Sequence, residues 1–245
     1  MHFDHIYVHS LPRTGGNAIA RFLRDAFTDL DVPCQVHHAH FMTNQHRHNS
    51  VPEALLEPLR SCNPDRVGII TSSRDPVARN VSEFWRFAAW RIKAPVYENP
   101  QAATDAFYAY TDHWAQHSWH GTELAHFWGL DPFDSVKYML PPGLIYGRLA
   151  MTRLENIRQL PLVVSEWLGL DVTAYPVPHD EARQSRWKEH IRPPLPLKLT
   201  EAYLDAMYRP VGEGFLFPRW WYAPVELEAF RGHWTAMIDW QGGGA

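Results

Sequence analysis

Residues 5–19 read His5-Ile6-Tyr7-Val8-His9-Ser10-Leu11-Pro12-Arg13-Thr14-Gly15-Gly16-Asn17-Ala18-Ile19. The first five alternate with a period of two, the pattern of a strand. Ser10 to Gly16 carries the proline and glycine of a loop. From Ile19 onward, Phe22, Leu23, Ala26, Phe27 and Leu30 recur at helical spacing and make one apolar stripe. Strand, glycine-containing loop and helix, in that order, open an α/β nucleotide-binding fold.

Outward from this stretch, residues 34–42 read as a second strand and a short helix is expected near Pro52–Leu59. Residues 66–72 make the clearest strand of the chain, and it ends at Ser73-Arg74-Asp75-Pro76. Asp75 suits a helix N-cap and Pro76 the first helical position. The helix that follows is expected to reach about Ile92, with Val77, Val81, Phe84, Trp85 and Ala88 inward. Residues 101–128 read as helical, 144–149 as a strand, and Leu160 to Leu168 as a helix with Pro161 near its start and Gly169 after its end. Residues 179–191 and 197–208 read as helical, separated by Pro193-Pro194-Leu195-Pro196. The expectation is an α/β protein: a P-loop-like three-layer fold with a mainly parallel central sheet, flanking helices and a helix-rich C-terminal half. Residues 1–240 are expected to form one domain and 241–245 a disordered tail.

Composition narrows the classes. The chain has 245 residues, 45% of them hydrophobic and 20% charged, enough to bury a core without covalent staples. Cys34 and Cys62 read as lone thiols, which suits a reducing compartment. There is no run of about 18 apolar residues to cross a membrane. Met1 to His5 lacks the basic and apolar regions of a secretion signal, so a cytoplasmic location is expected. A formal charge of −4 argues against a general nucleic-acid binder.

Two constellations carry chemistry. In the first, Pro12-Arg13-Thr14-Gly15-Gly16-Asn17-Ala18, the glycines let the backbone approach an anion and the helix start behind them offers free N–H groups and a positive dipole. Arg13 adds a cation and Thr14 a hydroxyl. The Gly-Lys-[Ser/Thr] of a Walker A loop is absent. The alternative is an ordinary strand–turn–helix. In the second, Arg74-Asp75-Pro76-Val77-Ala78-Arg79-Asn80-Val81-Ser82, Arg74 stands at a strand end. Arg79 and Ser82 share a helix face, so the three together suit a second phosphate. The alternative pairs Arg74 with a carboxylate and leaves Ser82 incidental.

Taken together, the two patterns resemble those of sulfotransferases that use 3′-phosphoadenosine-5′-phosphosulfate (PAPS). Residues 12–16 match their 5′-phosphosulfate loop in place and type, and residues 74–82 match their Arg-Asp-Pro-x-x-Arg-x-x-Ser motif for the 3′-phosphate. The chain is more similar still to the carbohydrate branch, which includes heparan sulfate 2-O-sulfotransferase-like enzymes and bacterial capsular polysaccharide synthesis proteins. That likeness rests on His38-Ala39-His40 between the motifs, on Trp119 to Asp131 with Glu123, and on Arg153-Leu154-Glu155-Asn156-Ile157. Arg13 stands where most members have Lys, and Asn17-Ala18 replaces a Thr/Ser pair.

The resemblance implies transfer of a sulfuryl group from PAPS to a hydroxyl of a saccharide or glycosylated small molecule. It implies Pro12, Arg13, Thr14, Gly15, Gly16, Asn17 and Ala18 on the 5′-phosphosulfate, and Arg74, Arg79 and Ser82 on the 3′-phosphate. Arg13 would also stabilise the leaving group, His38 would be the base with His40 its partner, and Glu155, Trp119 and Glu123 would meet the substrate. No metal is expected. His37, His38, His40, His46 and His48 fall within 12 residues, which leaves a metal site or ordinary polar histidines as alternatives, although no Cys pair or His-Glu-x-x-His pattern supports metal. Two rival functions stay open: a Mg²⁺-dependent P-loop kinase, and a non-catalytic relative that binds a nucleotide or glycan.

Overall fold

A computed structural model describes residues 2–43, 51–91, 99–130, 143–178, 197–208 and 222–242. Among the described residues five strands form one sheet: β1 (His5–His9), β2 (Gln35–Ala39), β3 (Val67–Ser73), β4 (Leu144–Tyr146) and β5 (Leu149–Arg153). Their order is β2-β1-β3-β5-β4. All neighbours are parallel except the edge strand β4, which is antiparallel to β5. The helices are α1 (Gly16–Asp29), α2 (Glu53–Ser61), α3 (Pro76–Arg91), α4 (Pro100–Tyr110), α5 (Ala115–Trp119), α6 (Leu160–Leu168), α7 (Glu201–Tyr208) and α8 (Pro224–Gly242). A π-helical segment, His120–Phe127, continues α5. The α/β class and the mainly parallel sheet are as expected.

The chain divides into two compact units, Met1–Arg74 with Ser118–His179, and Asp75–His117 with Asp180–Ala245. The first holds the whole sheet. β3 is buried at every position, because a central parallel strand is covered on both faces. Ile6, Val8, Ile70 and Ala150 point to one face and pack with Ile19, Phe22, Leu23, Ala26 and Phe27 of α1 and with Leu160, Val163, Val164 and Trp167 of α6. The apolar stripe read in residues 19–27 is therefore the core face of α1. Leu30, at the end of that stripe, is 41% exposed. Tyr7 points to the opposite face, where its ring meets Trp128 and its hydroxyl donates to the Leu55 carbonyl of α2 at 2.7 Å.

In the second unit Asp75 is the hub. Its Oδ1 accepts from Val77 N–H at 3.0 Å, the N-cap role expected of it, and also from Tyr208 Oη–H at 2.6 Å. Its Oδ2 accepts from the Trp234 indole at 2.8 Å. One carboxylate thus joins α3, α7 and α8.

Several boundaries differ from expectation for local reasons. Residues 144–149 are not one strand: Gly147, at a φ of 56°, turns the chain with Arg148, and β5 returns beside β4 with Tyr146 opposite Leu149. The helical stretch 101–128 is interrupted after Tyr110, where Asp112 Oδ1 accepts from Trp114 N–H at 3.2 Å and forms a turn. α7 starts at Glu201 rather than at 197, because Thr200 caps it by accepting from Tyr203 N–H at 3.1 Å. α8 runs to Gly242, two residues into the expected tail. The helix expected over 179–191, the proline run 193–196 and residues 243–245 lie outside the described residues. Cys34 and Cys62 are free thiols. No described helix is long and apolar enough to cross a membrane.

Asp75→Ala removes a cap and the hydrogen bonds from Tyr208 and Trp234 at once and should cost about 2–4 kcal/mol. Asp75→Asn keeps the cap and should cost less. Urea unfolding midpoints of the three proteins check the order.

Candidate anion site at the first turn of α1

β1 and β3 are adjacent at the centre of the sheet, while β2 lies on the other side of β1. Chain direction therefore diverges beyond the C-terminal ends of β1 and β3, where open α/β sheets bind ligands. Residues 10–15 leave β1 there and enter α1.

The loop is held from within. Thr14 is fully buried, its hydroxyl donates to the Leu11 carbonyl at 2.7 Å, and it accepts from Ser72 Oγ at 3.2 Å. The Thr14 side chain, expected as a phosphate donor, therefore shapes the loop. Arg13 takes a φ of 76°, rare for a residue with a Cβ and typical of strained functional turns. Gly15, at a φ of 99°, is the N-cap of α1, and a Cβ there would also stand 2.9 Å from Leu154 Cδ1. Ala18 and Ile19 N–H donate to the Gly15 carbonyl. The N–H groups of Gly16 and Asn17 precede the first acceptor that the helix itself offers.

Gly16 is where the site closes. A Cβ there would lie 2.1 Å from Ser10 Oγ and 2.7 Å from His38 Nε2. His38 stands opposite Val8 in the β1–β2 register, so it shares the face of the sheet that carries α1. His40 lies one residue past the end of β2, its ring 4.7 Å from that of His38. The shared orientation read from strand alternation is thus retained. His40 Nδ1 lies 2.8 Å from the Ser10 carbonyl, which can only accept, so Nδ1 carries the proton. Burial, reinforced by the charges of His40, Arg24 and His9, pushes His38 down to about 4, so its ring is neutral at pH 7.

Beneath this pair lies a buried carboxylate. Glu123 is fully buried and accepts from Met42 N–H at 2.7 Å, Thr43 N–H at 3.2 Å and the Thr43 hydroxyl. Its Oε2 is 3.3 Å from His9 Nε2. Trp128 Nε1 donates to His9 Nδ1 at 2.8 Å, which leaves the His9 proton on Nε2, facing the carboxylate. Burial opposes the Glu123 charge, yet the hydrogen bonds from His9, Thr43 and Met42 outweigh it and hold the carboxyl below its ordinary value. Burial likewise keeps His9 below its ordinary value, against the pull of Glu123. Trp119, also fully buried, donates its indole N–H to the His40 carbonyl at 2.8 Å. Glu123 and Trp119, expected to meet substrate, are placed as supports of the segment that follows β2.

The second motif divides. Arg74, one residue beyond β3, is half-buried, and its Nη1 donates to the Arg13 carbonyl at 3.4 Å. This brings the two motifs together although 60 residues separate them in sequence. Arg79 is buried in the other unit, ion-paired with Glu83 and donating to Asn80 Oδ1 at 3.0 Å and the Asp112 carbonyl at 3.2 Å. Ser82 is half-buried on α3. Pro12 and Ala18 are half-buried and Asn17 is exposed. Glu155 is exposed in the 3₁₀ turn Leu154–Gln159 that leaves β5; its neighbour Leu154 covers Gly15.

Sequence reasoning missed two contributors. Ser10 is fully buried beside Gly16, and Ser72 holds Thr14. Each stands next to the end of a strand, the one signal that points to it. Arg153, from the quoted 153–157 segment, is buried at the end of β5, opposite Ser73. Among the described residues no group of three His, Cys, Asp or Glu side chains has the spacing to hold a metal; His46 and His48 lie outside them. No protein-family model matches the chain, and neither a curated protein nor a solved structure matches it.

The low value of His38 has a sign. The unfolded chain takes up this proton near 6.5, the folded protein only near 4. Between those values the unfolded state binds the extra proton, so stability falls as the pH drops through the window. Urea midpoints should therefore decline from pH 7 to pH 4, and His38→Gln should flatten the decline.

Proposed function

We propose that this protein is a PAPS-dependent sulfotransferase on a P-loop-like three-layer fold, acting on a hydroxyl of a saccharide or glycosylated small molecule. The observation that carries the reading is the meeting of the two motifs: Arg74 and the 12–16 loop come together beyond adjacent parallel strands, beside the first turn of α1. Arg74, the first residue of the second motif, and the first motif, which is read as a phosphate loop, thereby share one end of the sheet. The residues fit a doubly anionic nucleotide, because the N–H groups of Gly16 and Asn17, the helix dipole and two arginines all favour negative charge there.

When bound, the nucleotide would supply a sulfuryl group whose S–O bond to the 5′-phosphate breaks as a new S–O bond to the acceptor forms. The chain's own residues would position the parts and stabilise spread charge, as in phosphoryl transfer. Arg13 would neutralise the phosphate that leaves. Arg74 would hold the 3′-phosphate. His38, neutral at pH 7 with Nε2 directed at the first turn of α1, would take the acceptor's proton. His40, its Nδ1 proton fixed on the Ser10 carbonyl, would hold the neighbouring ring in place.

Thermal unfolding beside nucleotides tests this. At about 100 times Kd, 3′-phosphoadenosine 5′-phosphate should add about 2.7 kcal/mol, a rise in Tm of several degrees for a chain of this size. ADP should do much less, and Arg74→Ala should remove the preference for the 3′-phosphate. Stabilisation by ATP only with Mg²⁺ would replace this reading with a kinase. Tight binding with no transfer from PAPS to any saccharide would leave a non-catalytic nucleotide-binding protein.

A further inference from the structure

Ser10 is fully buried, and its hydroxyl is one of the buried polar groups with no hydrogen-bond partner among the described residues. Buried hydroxyls are nearly always bonded. Both backbone groups of Ser10 are already engaged: its N–H donates to the Ala39 carbonyl at 3.2 Å, and its carbonyl accepts from His40 Nδ1 at 2.8 Å. The residue is therefore fixed in place with only its hydroxyl left over.

That hydroxyl is aimed at the start of α1, a helix of 14 residues. The point it crowds, 2.1 Å away, is where a Cβ of Gly16 would stand. His38 Nε2, also buried and also without a partner, converges on the same point at 2.7 Å. The glycine thus lets the hydroxyl and the ring nitrogen come up against the start of α1, beside its first N–H groups, in the volume that a side chain would fill. An acceptor with several lone pairs and negative charge is the group that satisfies the hydroxyl and the helical N–H groups.

We propose that Ser10 is a ligand-binding residue, its hydroxyl donating a hydrogen bond to a phosphate- or sulfate-type oxyanion held at the first turn of α1. The proposal rests on the 12–18 loop being an anion cradle, and not on which nucleotide brings the anion. Because Ser10 is held by its backbone before any ligand arrives, the donor needs no reorganisation to act. The same feature makes the unliganded protein less stable than it would be with an alanine there, since a buried hydroxyl without a partner is unfavourable.

Calorimetric titration of the full chain and of Ser10→Ala, with inorganic phosphate, inorganic sulfate and 3′-phosphoadenosine 5′-phosphate in turn, tests the proposal, together with the Tm of each protein without ligand. Ser10→Ala is expected to keep or raise the ligand-free Tm and to weaken binding of the nucleotide, and of whichever free anion binds, about tenfold or more. Equal affinity of the two proteins for the nucleotide would overturn the Ser10 proposal and leave the sulfotransferase reading standing. Ser10-dependent binding of free phosphate or sulfate, with no preference for the 3′-phosphorylated nucleotide, would uphold Ser10 and overturn the PAPS reading. A ligand-free Tm lowered by several degrees in Ser10→Ala would make the hydroxyl structural, and no binding of any of the three anions would overturn both.

Discussion

The close approach of the α1 N-terminus to the ends of β1 and β2 governs the rest of this molecule. It depends on Gly16 having no side chain, because Ser10 and His38 occupy the space that a Cβ would take. That contact fixes the height of α1 on the sheet, and the apolar stripe from Ile19 to Phe27 then falls on Ile6, Val8 and Ile70. The preceding turn must reverse sharply to make the approach, which requires positive φ at Gly15 and imposes it on Arg13. A backbone so placed leaves helix N–H groups beside two polar side chains in a buried setting, where electrostatic interactions are stronger than in water.

A second layer of interactions keeps the histidine segment in register with that turn. Glu123 grips the backbone of Met42 and Thr43, Trp119 holds the His40 carbonyl, and Trp128 fixes the proton of His9 on the side that faces Glu123. All of these come from the region of α5, the π-helical segment and its end. A π-helical turn advances the chain less per residue than an α-helix and is frequent at functional sites. Here it sets Trp119 and Glu123 against the same short segment of chain. The negative charge of Glu123 is retained in a buried place because Met42, Thr43 and His9 donate to it.

Much of this was legible in the order of residues, and the limits have physical causes. Alternation over residues 5–9 and the apolar stripe from Ile19 to Phe27 are local patterns, and they located β1 and α1 correctly. Asp75 and Pro76 marked the start of α3 because capping is local as well. The hairpin at Gly147 reads as one strand in the sequence because β4 has three residues, too few to show a period. The placing of His38 and His40 on one face follows from strand geometry. Whether each points at α1 or away from it depends on which neighbour β1 pairs with, and that is a long-range fact. For the same reason the sequence hides how Glu123 and Trp119 hold the 40–43 segment: their partners there lie about 80 positions away, and no local pattern announces a buried carboxylate. Thr14 looked like a phosphate donor until Leu11 and Ser72 accounted for its hydroxyl.

The account stands on the first turn of α1 being an anion site, and its own N–H groups report on this most directly. The measurement is a ¹H–¹⁵N correlation spectrum of the protein titrated with 3′-phosphoadenosine 5′-phosphate, followed at the amides of Gly16 and Asn17. New charge-assisted hydrogen bonds should move both amide protons strongly downfield, in step with saturation. Saturable binding that leaves these two amides in place while others move would put the ligand elsewhere and contradict the account.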